Sequence, residues 1–101
     1  MPAVPTAAQI RYLRGQAHDL KPLLQTGGKG ITPALLAELH NVLEHHELIK
    51  IKVSAEDRTV RDAMIADLVA RSGSVLVQRI GHIAVLYRRN PENARIVLPS
   101  A

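Results

Sequence analysis

One domain's worth of chain, 101 residues and 11.0 kDa, with 47% hydrophobic and 22% charged residues, excludes whole-length disorder and can bury a core without disulfides or a structural metal. Cysteine is absent and the aromatics are Tyr12 and Tyr87 alone, which excludes a disulfide framework, a cysteine zinc site, a thiol nucleophile and a stacking platform for nucleic-acid bases. Thirteen Lys and Arg against nine Asp and Glu give a net charge of +4 and a pI of about 10.0, a balance that favours a polyanionic partner.

Pro2 and Pro5 predict a short extended arm over residues 1–5. Thr6 is a fitting cap for a helix to about Ala17, with Ile10, Leu13 and Ala17 at helical spacing and Arg14 pointing elsewhere. Gly15 weakens that helix. His18-Asp19 begins a connector, and Pro22 to Thr26 reads as a strand, with proline at its first residue where a strand tolerates one.

Gly27-Gly28-Lys29-Gly30 follows, then Thr32 as a cap and Pro33 as a first helical residue. Leu35, Leu36, Leu39, Val42 and Leu43 make one apolar stripe to about His46. Leu48 to Ser54 alternates, so Ile49, Ile51 and Val53 face one way and Leu48, Lys50 and Lys52 the other. Glu56 and Asp57 suit the start of the next helix, whose stripe is Val60, Met64 and Leu68 and whose stop is Gly73. Val75 to Ile80 and Ile83 to Arg88 form a hairpin through Gly81-His82. Asn90 to Asn93 is a turn, and Ile96 to Leu98 is expected to add a short extended piece in a tail over residues 89–101.

The order is α-β-α-β-α-β-β. A helical crossover makes the first two strands parallel, and the hairpin adds an antiparallel pair. The expected fold is an α/β two-layer sandwich, with helices on one face of a mixed four-stranded sheet, in a single domain spanning residues 1–101. No stretch approaches the length of a membrane helix, and Met1 to Gln9 lacks the basic and apolar regions of a secretory signal. The expected address is the cytoplasm.

The glycine loop is the strongest local signal. A strand, a glycine-rich turn and a capped helix bring free backbone N–H groups and a positive dipole end together, and that attracts phosphate. Gly27, Gly28 and Gly30 would offer amides, and Lys29 adds charge at the tip. The same glycines are compatible with a plain flexible turn. The loop is neither a Walker A motif nor a dinucleotide fingerprint. Lys50 and Lys52 share a strand face, and Arg58 and Arg61 occupy a helix start where acids would be favoured. Arg14, Arg79, Arg88 and Arg89 complete the basic set, and Lys21 precedes the first strand.

His40, Glu44, His45 and His46 raise a metal site, but neighbouring His45 and His46 point about 100° apart and nothing supplies a third ligand. His46 is expected to pack at the helix end, with His40 and His45 solvated. Ser54, Ser72, Ser74 and Ser100 lie in no nucleophile elbow, and Glu56-Asp57 is accounted for by the helix start. No catalytic residues, metal or cofactor are assigned.

Three stretches carry a family resemblance: Arg14-Gly15-Gln16-Ala17-His18 leading to Leu20-Lys21-Pro22, the loop from Gly27 to Thr32, and Glu44-His45-His46-Glu47-Leu48-Ile49-Lys50-Ile51-Lys52-Val53. With Glu56-Asp57-Arg58, Ile80-Gly81, Val85 to Arg88 and Leu98-Pro99, the chain from about Thr6 to Pro99 resembles the CRM domain. That is the chloroplast RNA splicing and ribosome maturation domain, here in its stand-alone bacterial, YhbY-like form. The resemblance implies a fold like the C-terminal domain of translation initiation factor three, RNA binding, and association with 23S-type ribosomal RNA in a pre-50S particle. The residues expected to contact RNA are Arg14, Lys21, Gly27, Gly28, Lys29, Gly30, Lys50, Lys52, Arg58, Arg61 and Arg88. The alternatives are an enzyme that holds a small phosphorylated substrate on the glycine loop, and a protein-interaction module.

Overall fold

Each helix begins where a side-chain oxygen takes up an amide that the helix itself cannot satisfy. In the computed structural model, which describes residues 5–27, 29–92 and 94–99, the Gln9 N–H donates to Thr6 Oγ1 at 3.2 Å and the Thr6 N–H donates to Gln9 Oε1 at 2.9 Å. This reciprocal box starts α1, Ala7–Ala17. Gly28, Asn93 and residues 1–4 of the expected arm lie outside the described residues. After β1, Pro22–Gln25, Thr32 Oγ1 accepts from the Leu35 N–H at 3.1 Å and opens α2, Pro33–His46. After β2, Leu48–Lys52, Asp57 accepts from the Val60 N–H at 2.9 Å and opens α3, Arg58–Ser72. Each such cap stabilises its helix by about 1 kcal/mol. Gly73, with φ of 68°, ends α3 in the left-handed conformation that glycine adopts at little cost. The hairpin β3, Val75–Ile80, and β4, Ile83–Tyr87, closes the element order that the pattern predicts.

The sheet runs β1-β2-β4-β3. β1 is parallel to β2, while β4 is antiparallel to both β2 and β3. Strand alternation divides the core in two. Ile49, Ile51, Ala84 and Leu86 turn to one face, where Leu39 and Leu43 of α2 and Ile65 and Leu68 of α3 cover them. Val85 and Tyr87 turn to the other face with Leu48 and Val77, and there Leu13 and Ala17 of α1 cover them.

The α/β class and the mixed four-stranded sheet are as expected, and α2 and α3 form the helical layer. The placement of α1 differs from the expectation that all helices share one face. Leu48 explains it: read with Lys50 and Lys52 as part of a basic face, it is only 4% exposed beneath α1. Burying one such leucine is worth about 1.5–3 kcal/mol, enough to recruit a helix to that end of the sheet.

Among the described residues, the chain after β4 adds no strand. Ile96 and Leu98 pack against the α1 core instead, and Val97 is 83% exposed. Their anchor is Glu47, buried at the end of α2 with φ of 60°. Its carboxylate accepts the backbone N–H groups of Asn90 at 2.7 Å, Ile96 at 2.9 Å, and Arg95. No helix among the described residues is long and apolar enough to cross a membrane.

Candidate functional site

The parallel register brings the C-terminal ends of β1 and β2 together, with Gln25 opposite Lys52. Thr26, 1% exposed, fastens them. Its N–H donates to the Lys52 carbonyl at 2.9 Å, and its hydroxyl accepts from the Ser54 N–H at 2.9 Å. The glycine loop springs from this clamp.

Inside the loop the Gly30 N–H donates to the Gly27 carbonyl at 3.0 Å. Gly30 holds φ of 71°, and a Cβ there would sit 4.0 Å from Met64 Cε. The amide of Gly30 is therefore spent on closing the turn, which departs from its expected role as a free donor. Gly28 lies outside the described residues. The N-terminus of α2 is also more occupied than the pattern implies. Thr32 takes the Leu35 amide, Pro33 has none, and Leu36 donates to the Thr32 carbonyl at 3.0 Å. Among the described residues, the Ala34 amide of the first turn has no partner, and it sits at the positive end of the helix dipole.

Among the described residues, the loop end presents exposed cations more than free amides. Lys29 is exposed and, among the described residues, makes no hydrogen bond or ion pair. Lys52 is exposed at the root of the loop. The hairpin reaches the same end: the Val53 N–H donates to the His82 carbonyl at 2.7 Å, and Arg61 Nη1 lies 3.3 Å from His82 Nδ1. Arg61 Nε is buried without a partner among the described residues. Arg58 pairs loosely with Asp62 at 3.7 Å, both exposed, a contact worth well under about 1 kcal/mol. Arg79 also pairs with Asp62, at 3.3 Å, and donates to the Gly81 carbonyl. Gly27, Lys29, Gly30, Lys52, Arg58 and Arg61 thus share one end of the sheet.

Arg14, Lys21 and Lys50 form a second group on the α1 side. Lys50 Nζ donates to the His18 carbonyl and Arg14 Nε to the Val77 carbonyl, each at 3.4 Å. Arg14, His18, Lys50 and Gln78 line a cavity of about 340 Å³ there. Lys21 precedes Pro22, which pairs in register with Lys50.

Arg88 belongs to neither group. It lies at the opposite end of the sheet, where its guanidinium donates to the Ser72 carbonyl at 2.8 Å, meets His40 Nδ1 at 2.8 Å and pairs with Glu44 at 3.6 Å. The helical neighbours His40 and Glu44 thus converge on an arginine. His46 is exposed rather than packed at the helix end, and His45 Nδ1 donates to the Asn41 carbonyl at 2.8 Å. Among the described residues no three His, Asp or Glu side chains gather to hold a metal ion.

Sequence reasoning missed three contributors. Glu47 stands out in the sequence only as part of the family-like stretch, Thr26 as a strand end and His82 as a hairpin tip; the partners of each lie far along the chain. Burial and, secondarily, the Glu47 carboxylate raise the Tyr87 hydroxyl above its ordinary pKa of 10.0, with Arg89 opposing.

The model of the CRS1 / YhbY (CRM) domain family matches residues 6–88. An RNA-binding protein of Haemophilus influenzae is 47% identical over 91 residues, covering 90% of this chain and 91% of its own. YqeI of Bacillus subtilis, named a probable RNA-binding protein, is 38% identical over 94 residues, 93% of this chain and 98% of its own. The solution structure of a hypothetical Staphylococcus aureus protein, described as a candidate RNA binder, superposes with a TM-score of 0.81 at 36% identity, covering 95% of this chain and 100% of that one.

Proposed function

The chain belongs to the CRS1 / YhbY (CRM) domain family, and from that premise we propose that it is a non-enzymatic RNA-binding protein whose glycine-loop end contacts phosphates of structured ribosomal RNA. Its setting is the cytoplasm, during assembly of the large subunit on 23S-type RNA in a pre-50S particle. The observation that carries the reading is the unengaged Lys29 at the tip of a glycine turn, flanked by Lys52, Arg58 and Arg61. Arg14, Lys21 and Lys50 extend the cationic surface around the β1 edge. With Tyr87 buried and Tyr12 the one other Phe, Tyr or Trp ring in the sequence, recognition rests on phosphate and shape more than on base stacking.

The alternative, an enzyme gripping one small phosphorylated substrate, draws less support. Its cradle would need several converging amides, and those of Gly30 and Leu35 are already committed. The deciding experiment compares a short structured RNA with mononucleotides over a range of salt. RNA binding that weakens steeply with salt, beside negligible mononucleotide binding, is the expected result. Tight, salt-insensitive mononucleotide binding would overturn it.

A further inference from the structure

Beside the glycine loop lies a groove of about 670 Å³ between the ends of β1 and β2 and the first turns of α3. Its floor is apolar: Val60 is 45% exposed, and Met64 reaches up beneath Gly30. Its one ionisable lining group among the described residues is the carboxylate of Glu56, an exposed residue with no hydrogen bond or ion pair among them. Among the described residues, no lysine or arginine lines it.

That charge pattern divides the labour between loop and groove. A sugar–phosphate backbone carries one negative charge per nucleotide, and Glu56 repels it from the groove. The cations stand outside, at Lys29 and Lys52. What fits an apolar floor with a carboxylate wall is a flat, uncharged group that brings N–H donors to its edge. A nucleobase is such a group. Its face packs on Val60 and on the Met64 thioether, which makes favourable contacts with aromatic rings. A carboxylate accepts from an exocyclic amino group, as Asp and Glu do from cytosine. Adenine, cytosine and guanine carry that donor; uracil presents one imino N–H between two carbonyl oxygens, and those repel a carboxylate. The edge must also be free, which an A-form duplex does not allow.

Resting on the RNA-binding reading above, we propose that this groove receives one unpaired amino-bearing base, adenine, cytosine or guanine, with Glu56 accepting its amino hydrogen while the adjoining phosphates run over the glycine loop. Selectivity against uracil follows from the acid, and selectivity against duplex follows because pairing already occupies the base edge that Glu56 would meet.

The test measures binding of the full chain to single-stranded oligoadenylate, oligocytidylate and oligouridylate of equal length, and to a duplex of that length, at one salt concentration. The expected preference for adenine or cytosine over uracil is about tenfold, the lower range of a good base contact. Glu56→Gln lies on the surface and leaves the fold intact. Its amide both donates and accepts, so the preference should fall to near unity. The ratio cancels any general gain from removing a negative charge. Equal binding of all three homopolymers, tighter binding of duplex, or a preference untouched by Glu56→Gln would each overturn the groove while leaving the loop reading in place, provided Lys29→Ala weakens every RNA alike. Absence of binding to any of these RNAs would overturn both.

Discussion

Glu47, at the end of α2, holds Ile96 nearly fifty residues downstream: its buried carboxylate accepts the Ile96 backbone N–H at 2.9 Å, and the same oxygens take the amides of Asn90 and Arg95. The tail is thereby drawn over the α1 core, and the Gln9 side chain completes the closure by donating to the Pro99 carbonyl at 2.9 Å. Removing the acceptor leaves three partly buried amides unmatched. Glu47→Ala should cost about 3 kcal/mol, about 1 kcal/mol for each partly buried donor, the low end of the penalty for an orphaned donor. Glu47→Gly should lose about 1 kcal/mol less, because φ of 60° is strained for any side chain and free for glycine. Chemical denaturation of the two variants checks the order, and Gly faring worse than Ala would contradict the strain at this position.

Tyr87 supplies a pH dependence. Its hydroxyl is raised above 10.0 in the folded chain, chiefly by burial and then by Glu47. The unfolded chain gives up this proton first, so above the ordinary value it binds fewer protons than the folded chain. Stability from this group is therefore complete below about pH 10 and is lost as pH rises through the folded value. Denaturation midpoints measured across the alkaline range should fall more steeply for the natural chain than for Tyr87→Phe. Identical slopes would remove Tyr87 as the cause.

Arg88 separates scaffold from site. Its side chain is 20% exposed and ties β4 to α2 and to the end of α3 through His40, Glu44 and the Ser72 carbonyl. Arg88→Ala should cost about 1–3 kcal/mol by leaving these acceptors unpaired, with RNA affinity of the folded protein unchanged. A selective loss of RNA binding at unchanged stability would return Arg88 to the interface.

The local signals were legible. Thr6, Thr32 and Asp57 announce helix starts through their own side chains, and the stripe from Leu35 to Leu43 announces a buried face. What stayed hidden depends on residues distant in the chain. Leu13 and Ala17 say that the first helix buries a face, but only the pairing of Leu48 with Tyr87 says which side of the sheet awaits it. The glycine loop was visible as a turn, yet the closure of Gly30 onto Gly27 that consumes an amide was not. Arg61 and His82 stand 21 residues apart and meet only because the hairpin folds back beside α3. Arg88 looks like any other surface cation until Ser72 and His40 are brought against it.

The scaffold alone is tested by Leu39→Ala, which opens a cavity in the α2 core and should cost about 2–5 kcal/mol. Thermal melting should drop, while the folded fraction binds RNA as the natural chain does. A specific RNA defect in that folded fraction would show that the site is not confined to the loop end.

The most direct test of the account measures RNA affinity against salt for the natural chain and for the variant with Gly28→Asp and Lys29→Asp together, with thermal melting of both. If about four to six phosphates are neutralised, log affinity should fall against log salt with a slope of roughly −3 to −4. The double variant should melt as the natural chain does and bind RNA far more weakly at about 0.1 M salt, where short-range charge still acts. A flat salt response, or a double variant that binds as tightly as the natural chain under those conditions, would contradict phosphate binding at the glycine loop.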